Sequence, residues 1–380
     1  VIQNMMRKAM VAGEGATLAI DFSTGTLPSG MTFTRGTSGT YINNSGFLSL
    51  AVANTARFDY TGGSFRGLLV EAEATNLLTY SEAFTPSWTD SSITRNSTGA
   101  TSPRNFAEAL QVTASAGNAT IIRSAAVGTS AQRTFSIWLR RNSGTGNVQY
   151  TLDNGASWTT QAITSTWTRY IFPATTANHQ VGIQIVTSGD SIELFGAQLE
   201  TGSGASSYIN TIASQVNRQA DFAVISDLTA VGFNTAGGSL IMRGYQTKLS
   251  SGSYPALAGF LDSSDVDVFG IRNDVAGAVM FGRFAGTSTS AEANRTITNN
   301  AAYAFGMSVN PALTSSAIIV SMNGSSTTAN KSGTATAITT PTKFVLTRPG
   351  YGLYINCGAI ASINYFPTIK TAAELNTLTT

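Results

Sequence analysis

The sequence predicts an all-β protein built as tandem antiparallel β-sandwiches, with one short helical segment at the N-terminus. Three observations carry that expectation. Apolar and polar residues alternate over short stretches along most of the chain, the period of a half-buried strand. Turn chemistry recurs between those stretches at a spacing of about 8–12 residues, as in a sandwich. Charged residues make up only 11% of the 380 positions, far below the roughly 25% of an average soluble protein, and Gly, Ala, Ser, Thr and Asn take their place.

The chain is longer than one hydrophobic core of about 250–300 residues usually supports, so two or three domains are expected. At its start, Ile2, Met5, Met6, Ala9 and Met10 stand at helical spacing. A helix that short is marginal in water and needs its Met-rich face packed, either on its own domain or as a peg into a partner. Residues 1–78 then read as an adaptor or anchoring segment of short strands: Leu18-Ala19-Ile20, Met31-Thr32-Phe33, Tyr41-Ile42, Phe47-Leu48 and Gly67-Leu68-Leu69-Val70. Pro28-Ser29-Gly30, Asn43-Asn44-Ser45-Gly46 and Gly62-Gly63 separate them as turns.

Residues 79–210 carry the clearest strand pattern. Phe135, Ile137 and Leu139 share one face, as do Val181, Ile183 and Ile185, and Ile192 and Leu194 repeat the alternation. Asp153-Asn154-Gly155, between Val148-Gln149-Tyr150-Thr151-Leu152 and Ser157-Trp158-Thr159, suits a hairpin turn with positive φ. The polar stretch 211–221 lacks an apolar period and reads as a linker. Strand patterns resume over 222–380, with Asn323-Gly324 marking another hairpin after Ala317-Ile318-Ile319-Val320-Ser321-Met322. Thr371-Ala372-Ala373-Glu374 fits a capping box opening a short terminal helix.

The residue inventory excludes most chemistry. Lysines and arginines number 22 against 20 acids, so no field steers a polyanion and no nucleic-acid partner is expected. Cys357 is the single cysteine, which rules out an internal disulfide or a Cys-based zinc site. His179 is the single histidine, so a hydroxyl such as that of Thr160 has no other imidazole to serve as its base. No apolar run reaches the roughly 18–20 residues of a membrane helix, and Arg7 and Lys8 stand where a signal peptide would be apolar. Neither Sec export nor membrane insertion is expected.

Glycoside hydrolysis needs two carboxylates about 5–9.5 Å apart across a sugar. Glu71 with Glu73, and Asp265 with Asp267, would each share a strand face, which solvated strand edges explain equally. Asp262, Asp265 and Asp267 offer oxygens to a Ca²⁺ ion without EF-hand spacing. Gly36-Thr37-Ser38-Gly39 and Gly202-Ser203-Gly204 lack the context of a phosphate cradle. No catalytic residue, no cofactor and no resident metal are assigned. For sugar binding, where aromatic rings stack on pyranose faces and amides bond hydroxyls, the candidates are Trp138, Trp158, Trp167 and Tyr170. Trp138 is out of phase with Phe135, Ile137 and Leu139 and should face away from their core.

Several of these segments form one ordered pattern: Phe33-Thr34-Arg35, Thr40-Tyr41-Ile42, Ala56-Arg57-Phe58-Asp59-Tyr60, Gly67-Leu68-Leu69-Val70-Glu71 and Thr75-Asn76-Leu77-Leu78. It continues through Ser81-Glu82-Ala83-Phe84, Trp88, Gly196-Ala197-Gln198-Leu199-Glu200 and Ser207-Tyr208-Ile209. Over about residues 20–221 the chain thereby resembles bacteriophage and prophage tail-associated structural proteins, in which such a block precedes a carbohydrate-binding-module-like jelly roll. The last third resembles a concanavalin or laminin-G-type sandwich. The resemblance implies a virion protein forming a tail fibre, spike or similar appendage. It also implies a homo-oligomer, commonly a trimer, in contact with other virion proteins and facing host-surface glycans. The Met-rich start, Ile2, Met5, Met6 and Met10, would then anchor it in the particle. The chain lacks a collagen-like, coiled-coil or β-helical shaft, so a short, compact appendage fits better than a long fibre. A purely architectural head or tail decoration and a polysaccharide depolymerase are the competing readings.

Overall fold

The computed structural model describes residues 15–123, 127–248, 256–273, 279–286, 289–296, 300–331, 336–346 and 357–380. Ile2, Met5, Met6 and Met10 lie outside them, as do the side chains of Asp267 and Cys357. The described chain is all-β, with antiparallel sheets throughout and one terminal helix. It forms two compact units. The first combines Val1–Gly46, Leu50–Glu73 and Gln219–Thr380; the second combines Phe47–Ser49 and Ala74–Arg218.

The first unit contains two large sheets. One runs in the order Ser325–Ala329, Ile318–Met322, Ala301–Val309, Gly238–Lys248, Cys357–Phe366, Gly67–Val70, Phe58–Asp59, with Leu18–Asp21 also pairing with Cys357–Phe366. The other runs Met31–Thr34, Phe222–Ile225, Lys343–Leu346, Ala256–Leu261, Asp267–Asn273, Val279–Gly286, Thr289–Thr296. Inward residues of both sheets form one core that includes Leu240, Met242, Phe260, Phe269, Phe305, Phe344, Ile363 and Tyr365. Phe260 packs edge-on against Phe344 and Tyr365 at 4.9 Å each. Burying a ring of that size is worth about 1.5–3 kcal/mol.

The expected separation of residues 1–78 from 222–380 is therefore corrected. Ile20 lies opposite Ile363, Leu69 opposite Ala359, and Phe33 opposite Ala223. The short N-terminal strands cannot bury their apolar faces alone, and the two sheets of the C-terminal segment accept them as neighbours. The expected linker is corrected too. Val216–Arg218 is a strand, pairing with Ala74–Asn76 so that Arg218 lies opposite Ala74. Backbone pairing, which needs no apolar period, organises that polar stretch.

Local chemistry explains other elements. The strands Ile318–Met322 and Ser325–Ala329 join through Asn323 and Gly324 alone, with Met322 opposite Ser325. Both turn residues have positive φ, 50° and 81°, as a twist-matched hairpin turn demands. The helix Ala372–Thr379 starts at Thr371, whose side chain accepts from Glu374 N while the Glu374 carboxylate accepts from Thr371 N. Its Leu375 is fully buried.

The second unit contains two five-stranded sheets. The first has the order Thr168–Thr176, Ala131–Ser143, Ser191–Thr201, Ala107–Ala114, Ile93–Thr101; the second has Thr159–Gln161, Val148–Thr151, Gly182–Ile185, Ala119–Arg123, Trp88–Ser91. Phe135, Ile137, Leu139, Ile183, Ile185, Ile192 and Leu194 share its core, as their alternation predicts.

Candidate glycan-binding face

The second of those five-stranded sheets sets the candidate site. Ile121, Ile183 and Val148 point into the core, so Thr120, Gln184 and Gln149 point outward. Register lines them up with their neighbours. Ser91 lies opposite Thr120, Thr120 opposite Gln184, Gln184 opposite Gln149, and Gln149 opposite Thr160. One row of hydroxyls and amides thus crosses the whole sheet, spanning about 19 Å at the usual interstrand spacing.

Exposure along the row is uneven. Ser91 and Thr160 at its ends are exposed, Thr120 and Gln149 are half-buried, and Gln184 at the centre is only 8% exposed. Gln149 Nε2 donates to Thr160 Oγ1 at 3.2 Å. No described residue bonds the Gln184 amide, which can donate two hydrogens and accept on its oxygen.

Trp158 stands at the end of this sheet. The hairpin before it is held by Thr151, whose Oγ1 donates to Asp153 Oδ1 (2.7 Å) and accepts from Gly155 N (2.9 Å). Ser157 donates from N and Oγ to the Asp153 carboxylate at 3.0 and 2.5 Å. Burial would raise the Asp153 pKa, but the bonds from Ser157 and Thr151 hold it below the ordinary carboxylate range. Asn154 and Gly155 take positive φ, 62° and 79°, and a Cβ on Gly155 would lie 3.1 Å from Trp158 Cζ2. The indole rests on the glycine's bare backbone and stays half-exposed. With no formal charge in the row, this face suits a neutral polyhydroxy ligand: an apolar ring face for the indole, hydroxyls for the amides.

The four aromatic candidates do not come together. Trp138 faces away from the core, as its phase predicts, but it is only 6% exposed. Tyr208 and Phe195 pack against it with ring centroids at 5.4 and 6.2 Å, and the Arg169 guanidinium lies 4.7 Å above it. A covered ring cannot stack on a sugar, so Trp138 is removed from the set. Tyr170 points inward and lies parallel to Phe172 at 6.4 Å. Trp167 remains half-exposed on the other sheet; its Nε1 donates to Thr101 O at 2.8 Å, and Arg140, paired with Glu193, lies 4.8 Å over its ring. Aromatic residues alone do not point to Gln184 or Gln149; the sequence signal for Gln184 is the alternation of Val181, Ile183 and Ile185, which turns it to the outward face.

The residues that carry the family-like pattern serve the fold. In the first unit, Arg35 Nη1 donates to Asp221 Oδ1 at 3.1 Å, and Arg57 Nη2 reaches both Asp221 Oδ2 and Glu71 Oε2, the latter at 2.8 Å. Asp221 Oδ2 also accepts from Glu71 N at 2.9 Å. These four side chains are 0–1% exposed. Burial alone would lower the Arg57 pKa; the charges of Asp221 and Glu71 outweigh it and raise it. Glu71 is thereby engaged by Arg57 and does not face Glu73 across a cleft. In the second unit Asn76 Nδ2 donates to the carbonyls of Ala197 (3.1 Å) and Ile209 (2.8 Å), while its Oδ1 accepts from Leu78 N and Leu199 N, both at 3.1 Å. Tyr208 Oη meets Ser81 Oγ at 2.7 Å and donates to Glu82 at 3.0 Å. Burial, reinforced by the Glu82 charge, pushes the phenol well above its ordinary pKa.

Two further acidic candidates, Asp262 and Asp265, also have partners. Asp262 Oδ1 accepts from Ser264 N and Val266 N at 2.8 and 2.9 Å, closing a turn, and Asp265 pairs with Lys343. Among the described residues no group of three or more His, Cys, Asp or Glu side chains is placed to hold a metal.

No protein-family model matches the chain, and no curated protein matches it. Solved structures do show likenesses. A CBM40 domain of the Ruminococcus gnavus IT-sialidase, solved with alpha2,6 sialyllactose, is 14% identical over 39% of this chain and 85% of its own, with a TM-score of 0.30. The receptor-binding domain of botulinum neurotoxin C/D mosaic serotype is 8% identical over 41% and 39%, with a TM-score of 0.33. The binding domain of Paraclostridial Mosquitocidal Protein 1 is 9% identical over 44% and 43%, also at 0.33. The match spans about two fifths of each of the two latter structures. At these TM-scores the likenesses are loose.

Proposed function

We propose that the protein is a compact appendage of a bacteriophage particle that attaches to a neutral host-surface glycan through the outward Gln184 face of its second unit. One observation carries the glycan part: Gln184, nine-tenths buried as a residue and with its amide unbonded by any described residue, stands at the centre of an uncharged row beside a half-exposed indole. The virion part rests on the ordered sequence pattern over residues 20–221 and on a surface wetted by hydroxyls and amides rather than charges. The role is contact without turnover. A symmetric oligomer, a trimer by the resemblance, would cover strand edges that each sandwich leaves unpaired.

Glycan-array binding by the purified full chain is the test. Gln184→Ala and Trp158→Ala should each lose the signal, and Trp167→Ala should keep it. Loss with Trp167→Ala alone would move the site to the Arg140–Glu193 side, and an array blank for the unmodified protein would remove glycan attachment. Sedimentation as a monomer at micromolar concentration would remove the oligomer. A second reading, purely architectural decoration, is favoured by the fact that the pattern's conspicuous residues, Arg35, Arg57, Glu71 and Asn76, are all spent on internal bonds. Locating the density on intact particles by cryo-EM, with a blank array, would select it. Release of reducing ends from host polysaccharide would instead select the depolymerase.

A further inference from the structure

The outward face of the larger sheet in the first unit carries a group of polar atoms that its own neighbours do not satisfy. Met242 and Ile363 point into the core, so Arg243, Ser362 and Asn364 point to the opposite face. Arg243 lies directly opposite Ser362, and Asn364 lies opposite Ile241, two residues further along the same strand. Facing pairs of this kind bring Cβ atoms to about 4.5–5.5 Å. The three residues are 2%, 3% and 3% exposed.

Arg243 Nη2 donates to the carbonyl of Leu378, near the end of the helix Ala372–Thr379. Its Nη1 has no acceptor, Ser362 Oγ has no partner, and Asn364 Nδ2 has no acceptor. No carboxylate among the described residues pairs with the guanidinium. The carboxylate nearest by register is Asp21, opposite Ser362, which is exposed and accepts from Ser23 N at 2.8 Å. Burial lowers the Arg243 pKa, and no opposite charge restores it. An uncompensated buried guanidinium is costly, as is each buried donor without an acceptor. Three such groups on adjacent register positions form a concentration of donors without acceptors.

We propose that Arg243, Ser362 and Asn364 form an anion-binding site for a small oxyanion, a carboxylate or a phosphate. Planar or tetrahedral oxygens match what these groups offer: a guanidinium edge, a hydroxyl and an amide N–H. The three side chains are almost wholly buried, so the anion enters by local opening of the chain around them. The ligand stabilises the first unit by binding only the folded state.

The test is calorimetric unfolding of the full chain in phosphate, sulfate or acetate, with chloride at matched ionic strength as reference. The unfolding midpoint of the first unit should rise by roughly 2–4 °C once the anion exceeds its dissociation constant several-fold. Acetate against phosphate separates the carboxylate from the phosphate source. In Arg243→Met the response should vanish, and in chloride that variant should be at least as stable as the parent, because an unpaired buried charge has gone. Ser362→Ala and Asn364→Leu leave the bond to Leu378 in place and should weaken the response, which keeps the test open if Arg243→Met fails to fold. A parent protein indifferent to all three anions would overturn the site. So would an undiminished response in Ser362→Ala and Asn364→Leu. Neither result touches the glycan face, which lies in the other unit.

Discussion

The two units bury polar groups with a different emphasis, although the second also buries the charged Arg218 and Glu200. The first, assembled from sequence segments that the second interrupts, secures the returning chain with charge: Asp221 arrives 150 residues after Glu71 and is met there by Arg35 and Arg57. The second, nearly continuous in sequence, secures its ends with neutral groups: the Asn76 amide bonds four backbone groups, and Gln198 bonds Glu200 and Ile209 N. Two of its ion pairs, Arg104–Glu82 and Arg95–Asp90, keep 21–28% of their side-chain surface in water, whereas Glu193 and Asp190, paired with Arg140 and Arg141, are nearly buried. The difference teaches where each unit is vulnerable. Buried charges contribute little net stability as a set but leave a large penalty when one is removed, whereas amide bonds are lost roughly one at a time.

The sharpest way to break the contrast is Asp221→Ala. Two arginines lose the carboxylate they share, and the first unit should be destabilised by about 3–5 kcal/mol, read as a large shift of its transition in urea. The second unit's transition should stay put; a shift in both would show the two to be one cooperative block. Asn76→Ala should act on the second unit instead, by about 2–4 kcal/mol, because it strands carbonyls and amides that are buried. Thr371→Ala removes a helix cap from the first unit and should cost about 1 kcal/mol, measured as a lowered melting midpoint.

The smallest separation should come from pH. His179 is buried, with Nδ1 accepting from Arg133 Nη1 at 2.9 Å, and burial followed by the Arg133 charge lowers its pKa below 6.5. The folded second unit therefore prefers neutral imidazole. Its stability is full above pH 6.5 and falls as pH drops from there through the lowered folded value, where the unfolded chain binds the proton first. His179→Gln should flatten that slope. The first unit has no histidine, so this histidine-linked loss should be absent from its transition.

Where the sequence was legible, the determinant was local. Alternation placed Phe135, Ile137 and Leu139 on a core face; Asn323-Gly324 set a hairpin; Thr371 and Glu374 capped the helix. What was illegible is non-local. Nothing in Leu18-Ala19-Ile20 announces a partner strand beginning more than 330 positions later, and nothing in Val216-Asn217-Arg218 distinguishes a polar strand from a linker. For the site, the phase of Trp138 was readable but the residues that cover it were not, since Tyr208 and Arg169 reach it only through tertiary contact. The reverse holds for Gln184. Its position in a strand was plain, and its meaning depends on four neighbours contributed by other strands.

The pairing of Ala74 with Arg218 has an evolutionary consequence. An insert whose entrance and exit sit side by side is a cassette, and recombination can exchange it without re-threading the host sheets. Such an exchange would leave Glu71 and Asp221, which bond each other across the junction, in place as flanks.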